Sequence, residues 1–121
     1  MTTQEYSVDL EKNKDRPTAT ASVRSFSFEL GAKSGDPSAG FNPAETLLAA
    51  VGGCITSSMG LVALNSGVQI DGLKVKVTGV RQDSPPKLIS IHYELTIDSP
   101  DPDRRIESTF KVAQRNSTVL S

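Results

Sequence analysis

Apolar and polar residues alternate along most of this chain, but in one long stretch the charged residues disappear altogether. Tyr6, Val8 and Leu10 alternate with Ser7, Asp9 and Glu11, the period of a half-buried strand. A polar turn from Lys12 to Pro17 follows. Ala19, Ala21 and Val23 resume the alternation, and Phe26, Phe28 and Leu30 then carry it one residue out of step. A slip of one residue sends side chains to the opposite face, so a bulge or tight turn is predicted near Arg24-Ser25. Gly31 to Gly40 reads as loop by composition.

The stretch from Gly40 to Gly67 is the one the rest is organised around. Asn42 suits a helix N-cap, Pro43 the first helical position and Glu45 the third, a capping-box variant. From Thr46 to Leu64 only apolar, small or hydroxyl residues occur, and Gly67 supplies a stop. A helix apolar on every side is a buried one. Beyond it, Leu73, Val75 and Val77 alternate with Lys74, Lys76 and Thr78. After a Pro85-Pro86 turn, Ile89, Ile91, Tyr93, Leu95 and Ile97 alternate strictly with polar residues. Asp103 can cap a second helix, in which Ile106, Phe110 and Ala113 recur to about Arg115.

This order predicts an α+β domain spanning residues 1–121, with a helix layer on an antiparallel sheet of about four or five strands. Such a sheet covers one face of a helix that is apolar all round. The remaining cover is expected from a second copy, as a homodimer.

Length, charge and cysteine count narrow the function. One domain of 121 residues with net charge −1 and mixed signs has no electrostatic footprint for nucleic acid, and without tryptophan it lacks a base-stacking platform. A single cysteine forbids an internal disulfide, and the N-terminus lacks the pattern of a signal peptide. The uncharged helix approaches bilayer length, but its hydroxyls and glycines, and the absence of interfacial aromatics, argue against a membrane span. The expectation is a cytoplasmic protein.

Among residues that carry chemistry, Cys54 comes first. A buried cysteine packs as a small hydrophobe, and it reacts only when its pKa is lowered and it is accessible. Gly52-Gly53 directly precedes it. A bend there would start a new helical segment at Cys54 and aim free N–H groups at its thiolate. Glu45 is explained by the cap and is a weaker catalytic candidate. Arg24 and Arg16 stand near strand ends, within conceivable reach of a thiolate. His92 lies on the polar face of its strand with no second ligand at metal-binding spacing, so no metal is expected. The loop Gly31 to Gly40 lacks the ending of a phosphate-binding loop, and no cofactor is expected.

The run N-P-x-E-x-L-L-A-A-x-x-G-C over Asn42 to Cys54, followed by N-S-G-V-Q-I-D-G-L-K-V-K-V-T-G, resembles the OsmC/Ohr family of osmotically induced and organic-hydroperoxide-resistance proteins. The likeness runs from about Ser22 to Ser121. It implies an intertwined α+β homodimer with its long helices back to back, and thiol peroxidase chemistry at the dimer interface in oxidative or osmotic stress defence. On the matching positions, Cys54 is the peroxidatic cysteine. Ser117, in N-S-T-V-L, stands where a resolving cysteine is expected and cannot form the disulfide. Ala44 occupies the place of the hydroperoxidase branch's activating glutamate, and Glu45, one place later, matches the broader OsmC-like branch. Arg24, ahead of F-S-F, is preferred over Arg16 as the activating arginine. The closing strand that follows this motif in the family has no counterpart before Ser121.

The functional expectation is therefore a one-cysteine reducer of small organic hydroperoxides, regenerated by an external thiol reductant. Two alternatives stand beside it: a non-catalytic protein that binds a small apolar ligand, and a thiol redox sensor.

Overall fold

A computed structural model of the chain describes residues 2–33 and 36–115, which fall into two compact units divided between Thr46 and Leu47. The first unit holds strands β1 (Asp9–Lys12), β2 (Thr18–Val23) and β3 (Phe26–Gly31), and a single 3-10 turn over Pro37–Ala39. The three strands form one antiparallel sheet in sequence order, with Leu10 opposite Ala21 and Ala21 opposite Phe28. The phase change read in the sequence resolves as a tight turn. Val23 pairs with Phe26, and Arg24 takes a φ of 54° at the first position of the two-residue connection. A positive φ there matches the right-handed twist of the flanking strands, but glycine is the usual occupant. β1 begins later than the alternation from Tyr6 predicts. Asp9 already pairs with Ser22, and β2 turns back at Arg24, so the ladder runs out of partners.

On the polar face of this sheet Glu29 collects two hydroxyls. Thr20 donates to Oε1 at 2.6 Å and Thr18 to Oε2 at 2.7 Å. These bonds favour the ionised form and hold the Glu29 carboxyl below its ordinary value of 4.5. A carboxyl depressed on folding contributes stability that is complete above its unfolded pKa and is lost as pH falls through the folded one. Glu29→Gln is therefore expected to flatten the loss of stability below about pH 4.5, read as urea midpoints between pH 3 and 6. A slope equal to wild type would remove Glu29 from the account.

The second unit contains most of helix α1 (Pro43–Ser66), strands β4 (Gly72–Gln82) and β5 (Lys87–Asp98), and helix α2 (Asp103–Arg115). Both ends of α1 carry the chemistry the sequence foretells. The Glu45 N–H donates to Asn42 Oδ1 at 2.8 Å, and the Asn42 N–H donates to Glu45 Oε1 at 3.0 Å, a complete reciprocal box. At the far end Gly67 has a φ of 70°. Val68 N–H reaches the Ala63 carbonyl and Gly67 N–H the Leu64 carbonyl, a Schellman closure with Val68 buried behind it. Arg105 adds a cation where the helix dipole is negative: its Nη2 donates to the Ser66 carbonyl at 2.7 Å. Its Nη1 lies 3.7 Å from Asp101, whose other oxygen accepts from Gln69 N–H at 2.8 Å. Asp103 opens α2 from inside its first turn rather than ahead of it.

β4 and β5 form an antiparallel hairpin in which Leu73, Val75 and Val77 stand opposite Ile97, Leu95 and Tyr93. That inner face packs on Val51, Ile55, Met59 and Val62 of α1 and on Ala113 of α2, and these five buried residues are the core cluster. The α+β class stands, with two differences from the pattern-based expectation. The five described strands form two sheets, of three and two strands, instead of one. Every ladder joins strands adjacent in sequence, and these close with the least loop entropy. And α1 is buried along one stripe only. Leu47, Leu61 and Leu64 remain 47%, 61% and 78% exposed in the single chain.

Candidate functional site

Cys54 sits near the middle of α1, half-buried, at the border between the packed stripe and the open one. The helix runs unbroken through Gly52-Gly53, so no fresh N-terminus points at the sulfur. About three turns separate it from the start of α1, where the dipole has faded. The two glycines have different reasons. A Cβ on Gly52 would meet Val77 Cγ2 at 3.4 Å, so β4 crosses the helix closely there, whereas a Cβ on Gly53 would meet nothing within 4 Å. Thr56 returns its hydroxyl to the Gly52 carbonyl at 2.9 Å, which keeps that polar group off the apolar surface.

The open side of α1 has an order that the all-apolar sequence hides. Leu47, Ala50, Cys54, Ser57, Leu61 and Leu64 recur at alternating steps of three and four, the spacing of a helix-pairing seam. Cys54 lies within it, flanked one heptad away on each side by an exposed leucine. This is the surrounding that the reading of a uniformly buried helix missed, because an all-apolar run conceals which positions the fold covers.

The other sequence candidates are placed as follows. Glu45 belongs to the first unit, nine residues before Cys54 in the sequence, and its carboxylate accepts from the Asn42 N–H at 3.0 Å. Arg24 belongs to the first unit, where its guanidinium lies over the Phe26 ring, 5.7 Å from the centroid. It also lines a concavity of about 340 Å³ with Tyr6, Asp9, Ser22 and Val23. Arg16 is on the turn before β2, and His92 is exposed on the outer face of β5 with Nε2 at 4.0 Å from Glu94. Ser117 lies outside the described residues. Among those described, no three His, Cys, Asp or Glu side chains converge as a metal site. α1 is the one described helix long and apolar enough to cross a membrane, a test that core helices also pass.

A family model described as OsmC-like protein matches residues 33–121, nearly three quarters of the sequence and all of α1. The chain belongs to the OsmC-like protein family. No curated protein sequence matches it. Among solved structures, an OsmC-like protein from Mycoplasma pneumoniae superposes with a TM-score of 0.87 at 24% identity, over 98% of this chain and 86% of that one. OhrB of Bacillus subtilis, an organic hydroperoxide resistance protein, gives 0.62 at 18% identity, covering 95% and 88%. An organic hydroperoxide resistance protein OsmC from Legionella pneumophila gives 0.69 at 13%, covering 98% and 89%. At these identities the likeness establishes the OsmC-like fold.

Proposed function

We propose that this OsmC-like protein reduces small organic hydroperoxides through Cys54 as a one-cysteine thiol peroxidase, acting as a homodimer and recycled by an external thiol. The observation that supports this best is the place of Cys54. It is half-buried on an uncharged seam that the single chain leaves open, inside the segment matched to the family. Two structural neighbours are named for organic hydroperoxide resistance.

The chemistry needs one sulfur at a time. The Cys54 thiolate attacks the distal peroxide oxygen and the O–O bond breaks. The alkoxide takes a proton and leaves as alcohol, and the sulfur is oxidised to a sulfenic acid. A thiol from the reductant displaces water to form a mixed disulfide. Its second thiol then expels the Cys54 thiolate, so the reductant carries away the disulfide. Ser117 has no thiol to supply this step. Leu47 and Leu61 on either side of Cys54 suit an alkyl chain better than hydrogen peroxide.

A second reading, an OsmC-like protein that holds a small apolar ligand without turnover, draws on Glu45. Its carboxylate accepts from the Asn42 N–H and is committed to the cap. One experiment separates the two: alkyl hydroperoxide consumption with excess dithiol, for wild type, Cys54→Ser and Glu45→Gln. The peroxidase reading expects Cys54→Ser to lose at least a hundredfold. Glutamine serves a capping box as glutamate does, so Glu45→Gln should retain the melting temperature. A wild-type rate no greater than that of Cys54→Ser would leave the binding reading.

A further inference from the structure

We propose that the concavity between the end of α1 and the first turns of α2 binds a small organic carboxylate, with Arg104 and Ser108 as its polar contacts. It lies within the second unit and has a volume of about 280 Å³. Ser66, Val68, Arg104, Arg105, Ser108 and Val112 line it. Ser66 comes twelve residues after Cys54, about 18 Å along α1, so the site stands apart from the thiol and from the peroxidase reading.

Three observations carry this. The first is unspent hydrogen-bonding capacity gathered in one place. Arg104 and Ser108 are four residues apart on α2, so both side chains stand over the same patch of helix surface. Asp103 and Glu107 are close in sequence, yet among the described residues no carboxylate pairs with Arg104 and no group accepts from the Ser108 hydroxyl. Thr109 beside it differs, because its hydroxyl is spent on the Arg105 carbonyl at 2.9 Å.

The second is a guanidinium already held in place. Arg105 donates to the Ser66 carbonyl and faces Asp101, so ordering it for a ligand costs little further entropy. A guanidinium carries five N–H groups, and Arg105 keeps donors to spare.

The third is the balance of charge and surface. Asp101 and the carbonyl end of α1 offset Arg105, which leaves Arg104 as the uncompensated cation among the described lining residues. One net positive charge suits a monoanion. A phosphate dianion would bring a second negative charge against Asp101 and the helix end. A planar carboxylate also matches the planar fork of a guanidinium. Val68 is 6% exposed and Val112 half-buried, and together they give an apolar floor for a short alkyl or aryl group.

Titration of the ¹⁵N-labelled chain with benzoate tests the site through amide chemical shifts. A second titration uses inorganic phosphate above neutral pH, where it is a dianion, at the same ionic strength. Benzoate should shift the amides of Val68 and of residues 104–112 along one saturable curve, with a Kd on the order of 1 mM. Phosphate should bind at least tenfold more weakly. Arg104→Gln is expected to weaken benzoate about tenfold or more, and Ser108→Ala about threefold, in line with a charged and a neutral hydrogen bond. Lys111→Gln removes a charge from α2 outside the concavity and should leave the Kd unchanged. All three side chains are exposed, and a melting temperature equal to wild type confirms that each variant folds. Shifts that stay linear far above the millimolar range would overturn the site. An equal loss from Lys111→Gln would reduce the effect to general attraction by surface charge and overturn it too. Phosphate binding as tightly as benzoate would overturn the choice of a carboxylate.

Discussion

Met59→Ala is expected to lower the unfolding free energy by about 3 kcal/mol, within the roughly 2–5 kcal/mol span of buried methionine truncations. Met59 is 0% exposed and stands at the centre of the stripe of α1 that faces β4 and β5. Cutting it back to a methyl leaves a void between Ile55 and Val62, which cannot both move inward without dragging the helix. Urea unfolding at fixed protein concentration measures the loss, with concentration held constant because association shifts apparent stability. Met59→Leu keeps the volume and should cost less than about 1.5 kcal/mol. Equal losses for the two substitutions would mean the site is loosely packed, against the burial seen here.

Phe110→Ala is expected to cost about 3 kcal/mol, at the low end for aromatic truncation because Phe110 is only half-buried. Its ring meets Tyr93 edge-on with centroids 6.1 Å apart, and the pair joins α2 to β5. α2 is otherwise polar, with Val112, Ala113 and Ile106 as its remaining apolar support. Losing Phe110 should therefore loosen α2 before the hairpin and raise hydrogen exchange in α2 ahead of β4 and β5. The Arg105 clasp on Ser66 would go with it, since that guanidinium is placed by the docked helix. Exchange rates in α2 that match wild type would show that the clasp, not the aromatic pair, holds the helix.

How much of this was legible beforehand depends on the range of each interaction. The N-terminal box, the glycine stop and the strict alternation of β5 were readable because each is settled within a few residues of backbone. Asn42 and Glu45 meet as read, and among the described residues Asp103–Arg115 is helical where the periodicity implied a helix. The turn at Arg24 was readable as an interruption but not as a choice between bulge and hairpin. Both shift the phase by the same residue, and only pairing Val23 with Phe26 decides between them. The grouping of strands into two sheets was not readable, since alternation says that a strand has two faces and nothing about its neighbour.

The sequence by itself determined that this chain is α+β, that one long helix, uncharged from Thr46 onward, lies at its middle, that its only thiol is Cys54, and that the chain is an OsmC-like protein. It could do so because capping, periodicity and a motif within thirteen residues are local properties. Only the tertiary structure decided which side of that helix is covered, and that Gly52 is spoken for by Val77 while Gly53 is not. An apolar run carries no label for its buried face. That label appears when β4, β5 and α2 close on one stripe and leave the seam holding Cys54 open.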